Sequence, residues 1–240
     1  MSARRFFVEG AHARGSRVII TGGDARKIVS VLRLRDGDRI EVVDSTGTAF
    51  DARLQVDGGL VEATLADVLE QAPDDRRSID VAQAVPKGTK MDFVVEKATE
   101  LGAAAILPFY SERSVVRDAG AGKAERWRRL AKAAAQQSGR RNVPAVESPI
   151  EFASLVSRFS RYDLVLFPWE LADRVPLRET LPALLAGARR VLVVVGPEGG
   201  FSHTEADAAT AAGGRTVWLG HRILRTETAA MVLLAILEYV

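Results

Sequence analysis

Two stretches near the carboxyl end carry the residues best suited to chemistry. The first is Val191-Leu-Val-Val-Val-Gly196-Pro197-Glu198-Gly199-Gly200-Phe201-Ser202, and the second is Trp218-Leu219-Gly220-His221-Arg222-Ile223-Leu224-Arg225-Thr226-Glu227-Thr228-Ala229. Each is a short apolar run that ends in a glycine-bearing loop and then enters a helix. Gly196 lets the chain turn, Pro197 stiffens the turn, and Gly199-Gly200 leave room for a group pressed against the main chain. Such paired strand-end loops hold ligands in open α/β sheets. They do not match G-x-G-x-x-G or G-x-x-x-x-G-K-[ST], so a dinucleotide or nucleoside-triphosphate motif is not expected. Gly120-Ala-Gly122-Lys123 lacks the first glycine, the following Ser/Thr and a preceding strand. The two loops suit a small ligand held by main-chain groups.

Other candidate chemistry is limited by composition. Cysteine is absent from the 240 residues. That excludes disulfides, thiolate metal sites and a cysteine nucleophile, and it fits a reducing compartment. His12, His203 and His221 have no metal-ligand spacing. No apolar run is long enough to span a bilayer, and a cytoplasmic protein without a signal peptide is expected. The net charge of +2 is uneven. Residues 113–141 carry nine Lys/Arg against two Asp/Glu. This excess suggests a polyanion partner, although a solvated helix face gives the same pattern. Arg126, Arg128, Arg129, Lys132, Gln137, Arg140 and Arg141 are the candidates there for RNA contact. Trp127, among them, is either a base-stacking residue or a core anchor.

The elements that would position these residues follow from periodicity. Residues 1–70 give short strands at Arg5–Glu9, Arg17–Thr21, Asp38–Asp44, Thr48–Val56 and Leu60–Glu70, with helical spacing over Asp24–Leu32. That pattern predicts a small β-barrel. A polar linker at Gln71–Arg77 separates it from alternating strands and helices. Strands are expected at Ile79–Val85, Ala104–Phe109, Asp163–Phe167, Val191–Val195 and Thr216–Leu219, with a short extended piece near Ala145–Glu147. Helices are expected at Lys90–Leu101, Ala124–Ser138, Ile150–Phe159, Leu177–Ala186, Ser202–Ala212 and Thr226–Tyr239. Ser202 with Glu205 has capping-box spacing, and Thr89 with Asp92 could cap a helix. Alternation of this kind predicts a mostly parallel sheet covered by helices on both faces. The domains expected are residues 1–72 and 73–240.

Gly196-Pro-Glu-Gly-Gly-Phe-Ser together with Leu219-Gly-His-Arg-Ile-Leu-Arg-Thr-Glu-Thr-Ala resembles the signature of the RsmE family. Those enzymes belong to the SPOUT superfamily and methylate uracil N3 in 16S ribosomal RNA with S-adenosylmethionine (SAM). Arg4-Arg5-Phe6-Phe7, Lys97-Ala-Thr-Glu-Leu-Gly102 and Gln137-Ser-Gly-Arg140 with Pro144 add to the resemblance, which covers essentially the whole chain. It implies an N-terminal PUA-like β-barrel that binds RNA, with Arg4, Arg5 and Arg33 contributing. It also implies a SPOUT-type α/β trefoil-knot methyltransferase domain, a homodimer, and 16S ribosomal RNA or the 30S subunit as partner. The SAM pocket would be formed by Leu166 and Phe167, by Gly196, Pro197, Glu198, Gly199 and Gly200, and by Leu219, Gly220, Ile223, Leu224, Arg225, Thr226, Thr228 and Ala229. No metal is implied. Arg225, Glu198 and Arg140 are the catalytic candidates, as proton acceptor or as stabilisers of a uracil anion. The missing cysteine closes the covalent route to pyrimidine C5, whereas N3 or ribose-oxygen methylation needs no such nucleophile. A SPOUT enzyme acting on a ribose 2′-oxygen or a tRNA base, and an RNA-binding protein without catalysis, are the alternatives.

Overall fold

The computed structural model describes residues 4–69, 77–116 and 121–239. The expected linker at Gln71–Arg77 falls almost wholly outside the described residues. The chain forms two compact units. Residues 1–74 with 135–142 make the first, and residues 75–134 with 143–240 make the second.

The first unit is built on β1 (Arg5–Phe7), β2 (Arg17–Ile20), α1 (Gly22–Arg26), β3 (Arg39–Val43), β4 (Ala49–Asp57) and β5 (Leu60–Val68). The strand order is β1-β3-β4-β5-β2. β1 runs parallel to β3, and the other pairings are antiparallel. The expected barrel is therefore a sheet with two edges, β1 and β2. The single helix expected over Asp24–Leu32 is α1 followed by a π-helical turn, Lys27–Val31. Period-two alternation on β4 and β5 turns Ala52, Leu54, Val61, Ala63 and Leu65 inward, where they close on Phe6, Val42 and Ile28. Gln136, near the end of the basic helix, belongs to this unit. Its amide donates to Asp24 (3.0 Å) and accepts from Lys27 (3.3 Å). Both ends of a buried amide are thereby satisfied, as burial demands.

The second unit contains β6 (Ser78–Ala84), α2 (Lys90–Glu100), β7 (Ala105–Tyr110), α3 (Ala121–Ser138, its last turn in the first unit), β8 (Ala145–Val146), β9 (Ile150–Glu151) and α4 (Phe152–Val156). It continues with β10 (Leu164–Pro168), α5 (Leu177–Leu185), β11 (Arg190–Val195), α6 (His203–Ala211), β12 (Arg215–Val217) and α7 (Thr226–Glu238). Its sheet has the order β12-β10-β11-β6-β7-β8, with β9 also paired to β7, and every pairing is parallel. The helix expected over Ile150–Phe159 is corrected: Ile150 and Glu151 pair with Phe109 and Tyr110 as β9, and α4 is a short helix after it. An apolar run this short does not separate a strand from a helix by period alone.

Val191, Val193 and Val195 enter one apolar cluster with α2, α3, α5 and α7. Leu192 and Val194 enter the other, with Phe152 and Leu155 of α4 and Ala206 and Ala209 of α6. β11 is thus buried on both faces, which is why its sequence shows no polar alternation. Trp127 is 2% exposed, and its indole N–H donates to Asp92 Oδ1 (3.2 Å). It is a core anchor, and base stacking is excluded for it. Asp92 also receives Arg126 (2.8 Å), and the Thr89 side chain makes no cap. Trp127→Ala should therefore destabilise the protein by about 3–5 kcal/mol. Urea unfolding reads this directly, and a loss under about 1 kcal/mol would contradict the packing described.

Candidate active site

A cleft of about 640 Å³ opens beyond the carboxyl ends of β10, β11 and β12. This is the size range of small-molecule sites. Its position has a topological cause. From β6 the chain moves to β7 on one side, while β11, β10 and β12 lie on the other. Ligands in open α/β sheets sit at such reversals, outside the carboxyl ends of the strands. Three segments form the walls: Pro168 to Glu170 with Arg174, Val195 to Phe201, and Trp218 to Thr226 with Ala229. Lys90 joins them from the start of α2.

The loop after β11 is shaped by contacts that forbid side chains. A Cβ on Gly196 would lie 2.9 Å from the Phe201 ring. Phe201 is 2% exposed and sits 4.1 Å, centroid to centroid, from Phe167. The ring cannot give way, so position 196 must be glycine. Gly200 takes φ +66°, and a Cβ there would lie 2.9 Å from a Glu170 carboxylate oxygen. Its N–H donates to the Pro197 carbonyl (3.0 Å), closing the turn. Arg113 donates to the Gly199 carbonyl (3.0 Å) from outside. Behind the loop, the capping box forms as its spacing predicts. The Ser202 hydroxyl accepts from Glu205 N–H, and the Glu205 carboxylate accepts from Ser202 N–H. Glu205 accepts two more bonds, from the Ser111 hydroxyl (3.1 Å) and Glu112 N–H (2.9 Å). A carboxylate this buried is tolerable only with such partners.

The two loops are joined through Thr226, the first residue of α7. Gln83, fully buried at the end of β6, donates through Nε2 to the Thr226 hydroxyl (2.7 Å). That hydroxyl donates to the Gly196 carbonyl (2.5 Å). Gln83 Nε2 also donates to Ala84 (3.0 Å). The start of the first cleft loop and the end of the second are therefore fixed to one point of the sheet.

The charges are arranged around Lys90. Its ammonium donates to Glu198 Oε1 (2.8 Å) and lies 3.8 Å from Glu227 Oε2. Lys87 N–H donates to the same Glu198 oxygen (3.2 Å). Desolvation pushes the Glu198 carboxyl up, but the bonds from Lys90, its own N–H and Lys87 outweigh it and hold the group below the usual carboxylate range. The Lys90 ammonium is held above its ordinary value by the hydrogen bond to Glu198. Glu198 is a paired, weakly basic carboxylate.

Of the expected cofactor residues, Gly196, Pro197, Glu198, Gly199, Gly200, Leu219, Gly220, Ile223, Leu224, Arg225, Thr226 and Ala229 line the cleft. Leu166 and Phe167 do not. Both are fully buried, on opposite faces of the sheet, and Pro168 and Trp169 take their place on the wall. Thr228 is exposed and points away from the lining. Lys90, Trp169, Glu170, Arg174, Trp218, His221 and Arg222 were not foreseen. Their signal was only proximity to a strand end, because single polar residues carry no period.

Among the catalytic candidates, Glu198 and Arg225 meet at the cleft, whereas Arg140 belongs to the first unit. Among the RNA candidates, Arg4, Arg33, Arg129 and Gln137 are exposed. Arg5 is corrected: it is 9% exposed and donates to Glu41 (2.8 Å), so its charge serves a buried ion pair. Arg126 is engaged with Asp92, and Arg128 donates to the Val146 carbonyl (3.0 Å). Arg141 donates to the Leu69 carbonyl (3.3 Å) within the first unit, and Lys132 is half-buried.

Residues 73–238 match an RNA methyltransferase domain, and residues 20–66 match an RNA methyltransferase PUA domain. The chain is 34% identical over 229 residues to the ribosomal RNA small subunit methyltransferase E of Bacillus subtilis, covering 92% of this chain and 89% of that protein. It is 32% identical over 240 residues to the Mycobacterium bovis protein of the same name, covering 98% and 90%. A crystal structure of the Neisseria gonorrhoeae protein of that name, bound to SAM, superposes with TM-score 0.85 at 32% identity, covering 98% and 96%. A sheet topped by a main-chain cleft, preceded by a PUA unit and matched along nearly its whole length by these relatives, makes this chain a member of the ribosomal RNA small subunit methyltransferase E family.

Proposed function

We propose that the protein is a SAM-dependent methyltransferase that modifies N3 of a uridine in 16S ribosomal RNA. It would act in the cytoplasm as a homodimer, on free RNA or on the 30S subunit. The observation that carries the cofactor assignment is the cleft, lined on its two loops by the main chain of Gly196, Gly199, Gly200 and Gly220. The expected trefoil knot belongs to the same proposal. It is supported by α7, which starts beyond the edge strand β12 yet packs on β11, β6 and α2. None of the described helices is long and apolar enough to cross a membrane.

The donor residues fit SAM. Leu219, Gly220 and Leu224 offer an apolar slot with main-chain donors and acceptors for a purine. The turn at Gly199-Gly200 allows close approach of a sugar and amino-acid tail. SAM supplies an electrophilic methyl group when bound. The protein's work is to bring uracil N3 into line with it and to exclude water. N3 lies on the Watson–Crick edge, so the base must be unpaired or flipped out. The N3 proton passes to bulk water before the base seats, and Arg225, at the cleft and at the start of α7, stabilises the uracil anion that remains. Arginine accepts no proton, so Glu198 is the one possible acceptor among the three candidates, and its lowered pKa makes it a weak one. Its role is to fix the loop to Lys90. Exposed Lys123 and Arg129 of α3 would face the RNA backbone.

Gly220 holds φ +106° and lines the cleft. Gly220→Val should abolish SAM binding in calorimetry while circular dichroism stays native; normal affinity would remove the purine from this loop. A depressed carboxyl is already ionised well below neutrality, so Glu198 does not titrate in the working range. In Glu198→Gln, the rise of kcat/KM with pH should keep its position, and a vanished limb would restore Glu198 as the proton acceptor. Lys123→Ala with Arg129→Ala should lower the salt dependence of RNA binding by about one unit of slope per lost phosphate contact, leaving SAM affinity intact. An unchanged slope would take this face off the RNA surface.

A further inference from the structure

The cleft contains two carboxylates on its lining, Glu170 and Glu198, and they are in opposite states. Glu198 already accepts from Lys90 and from Lys87 N–H. Glu170 has no hydrogen-bond or ion-pair partner among the described residues. Its position is nevertheless defined. It lies two residues past β10, and its carboxylate rests against the Gly200 turn, where any side chain would displace it. The strands that carry the two groups, β10 and β11, are hydrogen-bonded neighbours. An exposed, unpaired acceptor therefore lies on the cleft wall beside the Gly199-Gly200 turn.

We propose that Glu170 is the residue that reads the ribose hydroxyls of the bound cofactor. The proposal rests on the SAM reading above and adds a residue to it. Three features select a diol over the other polar parts of that ligand. A carboxylate is an acceptor only, and a vicinal diol offers it two donors. Glu170 shares its wall with Arg174, and Arg225 lines the same cleft, which disfavours placing the ligand's cationic sulfonium or ammonium there. A neutral diol is indifferent to those charges. An acidic residue just past a neighbouring parallel strand is also the geometry by which open α/β sheets hold a ribose. Glu170 is a binding residue here and takes no proton from the substrate.

The test is calorimetry of wild type, Glu170→Ala and Glu170→Asp with three ligands: SAM, S-adenosylhomocysteine and 2′,3′-dideoxy-S-adenosylhomocysteine. Wild type should bind the dideoxy ligand about ten- to a hundredfold more weakly than its parent, the range of charge-assisted hydrogen bonds. In Glu170→Ala the two should bind within about threefold of each other, because the partner of the diol is already gone. Glu170→Asp should recover part of the discrimination. Full wild-type discrimination in Glu170→Ala would overturn the assignment. So would an altered ratio of SAM to S-adenosylhomocysteine affinity with diol discrimination intact, which would place Glu170 at the sulfonium. Wild-type protein that bound none of the three would overturn the cofactor reading and this assignment together.

Discussion

The Thr226 hydroxyl holds the site together. It sits between the Gln83 amide and the Gly196 carbonyl, so β6, β11 and α7 meet at one oxygen. Each bond contributes only about 1 kcal/mol net. Losing the hydroxyl would cost more than that, because the Gln83 amide is fully buried and would keep one fewer acceptor. The consequence is positional. Gly196 begins the first cleft loop and Thr226 ends the second, so neither loop can shift without breaking the other's anchor. A main-chain ligand site requires such rigidity, since it has no long side chains to adjust.

Packing and charge reinforce the same point. Phe201 fills the space that a side chain at Gly196 would need, and it stacks within a cluster of Phe109, Phe152 and Phe167. The floor of the loop is therefore a dry aromatic layer. On the outer side, Lys90 ties Glu198 to the start of α2 and faces Glu227 in the first turn of α7. That pairing is partly exposed and is worth little to overall stability. Its value is local, as it fixes where the turn at Gly199 and Gly200 points. Glu170 is left as the unengaged acceptor.

Much of this was legible in the sequence, for identifiable reasons. Val191–Val195 showed its double burial by lacking polar alternation, and Ser202 with Glu205 showed the helix start by spacing alone. The glycines of the first loop marked positions where no side chain fits. Other features were invisible. Trp127 sits among arginines in sequence, yet its neighbours point outward while it points into the core. Arg5 looked like an RNA contact, but Glu41 opposite it on β3 makes it an interior ion pair. Ile150 and Glu151 had too short a pattern to declare a strand. Lys90, Trp169 and Glu170 come to the cleft through the parallel order of β6, β11 and β10, which no local pattern encodes.

Hydrogen exchange of the backbone amides, with and without SAM, tests the central claim most directly. If the two loops form one slot, the amides of Gly199, Gly200 and residues 219–224 gain protection together at the same SAM concentration. Protection of one loop without the other, or of neither at saturating SAM, would contradict the account.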